Sequence, residues 1–243
     1  MEGSFVRSPN VPKGVRGRIS TIRIDDIPDN RREEAIQHMI DYYMKEEPLA
    51  STLMKIAPFS DEDIHEFYHN ALNDNISMYA VDEANNEEIA GVTMLRVASR
   101  CDPERHTKVD ARLKSMQALF DFLHYCYDGI DFFTYKSGTS EVVVDHILEP
   151  MGLSVAPHYR GRGIGEAIIK ARHELVTELG VEATLGIYTS IYSKPLILRQ
   201  GMEIIKEIPF SDYYVDGKAI FAECNPPNPS AQVIGGLLRN DSA

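Results

Sequence analysis

The segment Ser154-Val-Ala-Pro-His-Tyr-Arg-Gly-Arg-Gly-Ile-Gly165 constrains this chain more than any other, because a helical pattern follows it at once. Gly152 to Ala156 is an apolar run that reads as the end of a strand, with Pro157 and His158 as a turn. Gly161, Gly163 and Gly165 then fall within five residues, leaving backbone N–H groups uncovered and able to converge on one anion. Ile164, Ile168, Ala171, Leu175 and Leu179 recur at helical spacing, while Glu166, Lys170, Arg172, Glu174 and Glu178 fall on the polar face. Strand, glycine loop and helix therefore come in series. The free N–H groups and positive dipole end at such a helix start favour a phosphate or pyrophosphate. The alternative is a glycine-rich helix start with no ligand.

Two other phosphate loops fit less well. A Walker loop ends in Gly-Lys-Ser/Thr, whereas Gly165 is followed by Glu166 and Ala167, with no hydroxyl for magnesium. A dinucleotide loop follows the first strand of a parallel sheet, and about 150 residues precede this one. The spacing Arg160-x-x-Gly163-x-Gly165, after an apolar strand and Pro-x-Tyr-Arg, instead resembles the acyl-coenzyme A loop of the GNAT superfamily of N-acetyltransferases. That resemblance implies that the backbone amides of Arg160, Gly161, Arg162, Gly163, Ile164 and Gly165 hold the pyrophosphate of acetyl-coenzyme A.

Composition sets the outer limits. The chain has 243 residues, 43% hydrophobic and 26% charged, as expected for one globular domain or one domain with an insertion. A net charge of −12 argues against a nucleic-acid partner and biases the field toward small cations. No apolar run reaches the roughly 18 residues of a membrane span, and the start lacks the apolar segment of a secretory signal. Three widely spaced cysteines imply neither a disulfide framework nor a zinc site, and the eight histidines show no metal-ligand spacing. The expectation is a cytoplasmic monomer without a metal or a membrane partner. Residues 1–17 are expected as a flexible basic tail, and 225–243, from the Pro226-Pro-Asn-Pro229 run, as a second tail in which Val233 to Leu238 docks weakly.

Between the tails the pattern mixes α and β. Arg18 to Ile24 alternates as a first strand, and Asp29 or Asn30 caps a helix that Pro48 stops. Ser60-x-x-Asp63 resembles a capping box for a second helix, with Ile64, Phe67, Tyr68 and Ala71 inward. Ser77 to Val81 and Ile89 to Val97 form a hairpin, 99–110 a charged loop, and Leu113, Met116, Phe120, Leu123 and Tyr127 one face of a helix. The segment 136–150 is ambiguous. A strand over Ala183 to Tyr188, a helix near Lys194 to Gln200 and a strand over Met202 to Ile208 follow. Asp216-Gly217 makes a two-residue turn between Tyr213-Tyr-Val and Lys218-Ala-Ile-Phe221.

This order resembles the GNAT fold over roughly 18–224. It implies an α/β (α+β) domain whose central sheet is mixed, mostly antiparallel, splayed at the acyl-coenzyme A site and flanked by helices. Tyr42-Tyr-Met-Lys-Glu-Glu-Pro-Leu49 and Tyr188-Thr-Ser-Ile-Tyr-Ser193 are, in addition, similar to the insect arylalkylamine N-acetyltransferases. An amine with a pKa of about 10.4 is neutral in only about one molecule in a thousand at pH 7, so acetyl transfer to it needs a base. The resemblance gives that role to Glu47; the alternative is an ordinary surface or helix-end glutamate beside Glu46, the expected solvated member of the pair. The tyrosine acid common in the superfamily is replaced here by Ile197, and the resemblance instead implies hydroxyl roles for Thr189 and Ser193. Ser193 is alternatively a helix cap. Leu153, Ser154 and Val155 are expected along the pantetheine arm, Arg160 and Arg162 on phosphates or simply solvated. Tyr43, Pro48 and aromatics of the 113–127 helix line an amine pocket or pack in the core. Three readings compete with an arylalkylamine acetyltransferase: one for agmatine or polyamines, one for proteins, and a non-catalytic acyl-coenzyme A binding module.

Overall fold

The structure, a computed structural model, describes Arg7 and residues 13–102, 113–224 and 228–238. Eight strands form one sheet in the order β1-β2-β3-β4-β7-β8-β10-β9: β1 Val15–Ile19, β2 Ile22–Asp26, β3 Met78–Asp82, β4 Glu88–Ser99, β7 His146–Val155, β8 Ala183–Tyr188, β9 Glu203–Pro209 and β10 Ser230–Leu237. Only β7 and β8 run parallel; the other neighbours are antiparallel. The ambiguous segment resolves into a separate hairpin, β5 (Thr134–Ser137) and β6 (Ser140–Val143), followed by β7 itself. Helices cover both faces. One face carries α1 (Arg32–His38), a π-helical turn (Met39–Tyr43), α2 (Met44–Glu46), α3 (Pro48–Ile56), α4 (Asp61–Leu72) and α5 (Gln117–Tyr127); α6 (Ile164–Glu178) lies on the other, and α7 (Ser193–Leu198) packs against α6. This is the mixed, mostly antiparallel sheet flanked by helices that the sequence leads one to expect. Among the described residues no helix is long and apolar enough to cross a membrane.

The splay between β7 and β8 has a local cause. The two strands pair only at Ile147↔Ala183 and Leu148↔Thr184 and then separate. Pro150, two residues on, has no N–H to donate, and its ring lies where a Cβ on Gly186 of β8 would sit, 2.6 Å from the Pro150 Cγ. The register of β7 against β4 also shifts here, with Pro150 opposite Leu95 and Gly152 opposite Met94, a bulge at Met151 that bends the strand. Gly152 has φ +142, and a Cβ there would stand 2.7 Å from Met39 Cε and 3.1 Å from the Tyr43 ring. That close approach seats the π-helical turn against the bulge.

Several expectations are corrected. The first strand is a hairpin, because Ser20 takes φ +54 and reverses the chain between Ile19 and Ile22. Part of the basic tail is built in: Arg7 and Arg16 each place a guanidinium nitrogen 3.0 Å from the buried carboxylate of Asp26. Pro48 does stop the first helical run, but it also opens α3, which the sequence reading missed; proline is favoured in a first helical turn. The largest correction is at the C-terminus, where the supposed tail supplies β10, an interior strand between β8 and β9. A Cβ on Gly235 would lie 2.6 Å from the Thr184 carbonyl, so glycine is what lets the strand fit. Asp216 and Gly217 make the expected turn, both at positive φ, but only one bridge (Val215↔Lys218) flanks it, and Phe221 turns into the core against Phe122. Most of the charged loop expected at 99–110 lies outside the described residues.

Candidate active site

The splay opens a cavity of about 890 Å³ between β7, β8, α6 and α7. Leu153, Ser154 and Val155 line it with the edge of β7 that has no partner strand beyond Leu148. Gly161 and Gly163 take φ +75 and +77, the left-handed region that glycine alone enters freely. Gly163 caps α6 without a side-chain hydrogen bond, so the N–H groups of its first turn are not capped by that residue. Arg160, Gly161, Gly163, Ile164 and Gly165 all border the cavity. An uncapped helix start at the mouth of a long cleft suits a pyrophosphate followed by a pantetheine arm. The Arg160 guanidinium is 2.7 Å from Glu46 and donates through Nε to the Val155 carbonyl, so Glu46 is an ion-pair partner across the cleft mouth rather than a purely solvated residue. Arg162 is not brought in: it lies over the Tyr159 ring at 5.0 Å and donates to the His158 carbonyl.

Glu47 sits at the break between α2 and α3, in extended backbone (φ −62, ψ 128). Its Oε2 accepts from the Ala50 N–H at 2.6 Å as the cap of α3, and its Oε1 accepts from the Thr189 hydroxyl at 2.5 Å. Thr189 follows β8 directly, so the two residues, 142 apart in sequence, meet across the splay. Burial pushes the Glu47 carboxyl above its ordinary range, with the Ala50 and Thr189 donors partly opposing it. Burial of this kind makes a carboxylate a better base. Thr189 thus directs its hydroxyl proton to Glu47. Ser193, the first residue of α7, lines the same cleft and donates to the Ser190 carbonyl at 3.3 Å. Ile197 is fully buried and packs with Tyr188 and Ile169, as befits a residue that cannot donate.

On the other side of Glu47 lies a second cavity of about 630 Å³. Phe67 and Tyr68 of α4 and Phe120, Leu123 and Tyr127 of α5 form its apolar wall. In α5 the residues that face the core are Leu119, Phe122 and Cys126, so the expected inward stripe is displaced by one position and its aromatics turn to the cavity. At its polar side Arg96 pairs with the buried Glu149 at 2.7 Å. Tyr43, Glu47, Pro150, Ile187 and Thr189 border both cavities and stand where they meet. Pro48 borders only the cleft, not the aromatic cavity where it was expected.

The sequence reading missed Phe67, Arg96 and Glu149 as cavity residues, and it placed Arg172 on the polar face of α6 when the structure buries it. It also missed a cluster away from both cavities. His65 and His69 stand one turn apart on α4 with Glu33 of α1, all three ligand atoms within 4.8 Å of one another, so histidines at metal-ligand spacing are present. No local signal marks Phe67, Arg96, Glu149, Arg172 or Glu33, each of which depends on which element packs beside which; the four-residue spacing of His65 and His69 is, by contrast, legible in the sequence.

No protein-family model matches the chain. Solved structures do. The yellow fever mosquito protein designated arylalkylamine N-acetyltransferase 7 is 27% identical, with a TM-score of 0.76 over 97% of this chain and 100% of that one. Arylalkylamine N-acetyltransferase 2 from Aedes aegypti is 23% identical, with a TM-score of 0.76 over 90% of this chain and 99% of that one. The polyamine N-acetyltransferase of Drosophila melanogaster, which forms N-acetylagmatine, is 20% identical, with a TM-score of 0.72 over 88% and 98%. The chain has the GNAT N-acetyltransferase fold, in a form that resembles the insect arylalkylamine N-acetyltransferases.

Proposed function

We propose that this chain is an acyl-coenzyme A-dependent N-acetyltransferase that moves an acetyl group from acetyl-coenzyme A to the primary amine of a small arylalkylamine. The observation that carries the reading is the position of Glu47, a desolvated carboxylate held by Thr189 where a cleft with an uncapped helix start meets an aromatic cavity. Acetyl-coenzyme A occupies the cleft, with its pyrophosphate on the loop from Arg160 to Gly165 and its arm beside Leu153, Ser154 and Val155. The amine enters from the aromatic side. Glu47 takes its proton, directly or through water; the neutral nitrogen attacks the thioester carbon; the C–S bond breaks and coenzyme A leaves. Ser193 is the candidate hydroxyl donor to the departing sulphur. Transfer is direct within a ternary complex: among the described residues no histidine lines the cleft to activate a nucleophile.

The walls favour an aryl group over a polyamine. Phe67, Phe120 and Tyr127 offer aromatic faces, while Glu149, buried at the cavity's polar side, is already paired with Arg96 and is poorly placed to hold a guanidinium or second ammonium. Thiol release from acetyl-coenzyme A with dopamine, tyramine, tryptamine, agmatine, spermidine and a lysine peptide tests the proposal. Arylalkylamines are expected to exceed agmatine at least tenfold in kcat/KM. A preference for agmatine, spermidine or peptide would overturn the substrate class, and no turnover with any amine would overturn the activity.

A further inference from the structure

Arg172 is the largest fully buried side chain of the described residues, 1% exposed, on a helix whose other charged residues Glu166, Lys170, Glu174 and Glu178 all face solvent. Its Nη2 donates to the Tyr188 hydroxyl oxygen at 3.3 Å, its Nε has no hydrogen-bond partner, and none of the ion pairs among the described residues involves it. A guanidinium buried without an anion is costly, and such a charge is normally paired. Among the described residues four other buried polar atoms are also unsatisfied, on Asp26, His38, Tyr135 and His173, but none of those residues borders either of the two cavities. Arg172 and Tyr188 both border the cleft.

The place of the pair along the cleft narrows what it can meet. Arg172 lies seven residues beyond Gly165, about 10 Å down the helix axis from the first turn, too deep for the pyrophosphate held there. Tyr188 immediately precedes Thr189, which holds Glu47, so the pair meets the cleft from the α6 side, next along the strand to the residue at its junction with the aromatic cavity, a cavity that neither Arg172 nor Tyr188 borders. We propose that Arg172, steadied by Tyr188, recognises the sulphur of coenzyme A and holds the thiolate as it leaves. The inference rests on the acyl-coenzyme A reading of the cleft. As the N–C bond forms, the amine's proton goes to Glu47 and the C–S electron pair stays on sulphur, a negative charge opposite the unmatched guanidinium. Its partner is thus made by the reaction.

Calorimetric titration with coenzyme A and with desulfo-coenzyme A, in which hydrogen replaces the thiol, tests this on the full chain. The wild type is expected to prefer coenzyme A about tenfold or more, the scale of a hydrogen bond to a charged group. Arg172→Met is expected to abolish that preference while binding desulfo-coenzyme A like the wild type, and Tyr188→Phe to weaken it less. Because methionine removes a buried unpaired charge at similar volume, Arg172→Met is also expected to melt no lower than the wild type. A purely structural arginine would instead lower the melting temperature and spare the preference. Equal loss of both ligands, or an unchanged preference, would overturn the sulphur role. A wild type that binds neither ligand would overturn the reading of the cleft itself.

Discussion

The two cavities that meet at Glu47 are built in different ways. The cleft takes most of its loop side from one continuous stretch, Gly152 to Ile169, and presents it largely through backbone: two left-handed glycines, an uncapped helix start and a strand edge freed by Pro150. The aromatic cavity draws on α4, α5, β7, β8 and the segment around Glu47, and presents side chains brought together from residues 43 to 189. A ligand held by backbone can be recognised by a local motif, because the required φ angles select glycine at fixed spacing. A ligand held by side chains on separate helices leaves only amphipathic stripes, which core packing produces equally well.

If the cavities serve donor and acceptor separately, substitutions should divide cleanly between them. The largest effect is expected at the junction. Glu47→Gln should lower kcat/KM for the amine by about 10²–10⁴-fold, the usual worth of a general base, with acetyl-coenzyme A affinity in calorimetry little changed. The acidic limb of the wild-type pH profile should also lie above the ordinary carboxylate range. Burial favours the protonated, inactive form, so activity should rise as pH climbs through the raised value, and this limb should vanish in the glutamine variant. Loss of coenzyme affinity with no change in the limb would give Glu47 a binding role only.

A smaller effect is expected on the donor side. Gly163→Val puts a β-branched residue at φ +77 with its Cβ 3.2 Å from Ile19 Cδ1. A strain of about 1–3 kcal/mol should raise KM for acetyl-coenzyme A about 5- to 150-fold while KM for the amine moves less than about twofold. The smallest lies on the acceptor side. Phe120→Ala removes one aromatic wall, worth about 0.5–1.5 kcal/mol, and should raise KM for an arylalkylamine about two- to tenfold without touching the coenzyme. Steady-state kinetics with each substrate varied in turn measures both. Equal movement of the two KM values in either variant would mean that the cavities are one site.

The same division explains what could be read from the chain. The loop, α6, β8, α7 and the hairpin of β3 and β4 follow from periodicity and glycine spacing, and each stands within a few residues of its expected place. Arg172 was misassigned because a charged residue on a helix ordinarily faces water, and only the packing of Tyr188 and α7 beside α6 shows that this one does not. β10 was misassigned because a proline run usually ends a fold; here the chain re-enters the sheet, and close contact with Thr184 requires the glycine at 235. The π-helical turn had no sequence signature either, since one extra residue per turn is invisible until Gly152 leaves room for Met39 and Tyr43.

By itself, then, the sequence determined the hairpin of β3 and β4, the run from the glycine loop through α6, β8, α7 and β9, and the backbone loop that faces the cleft, because these depend on short-range periodicity and on glycine's freedom at positive φ. Tertiary structure alone decided that Thr189 would reach Glu47, that the α5 aromatics would turn from the core to a cavity, that Arg172 would lose its water, and that the last strand would enter the middle of the sheet. Those outcomes depend on contacts between residues tens to more than a hundred positions apart, whose free energies belong to the packed state and leave no mark on local pattern.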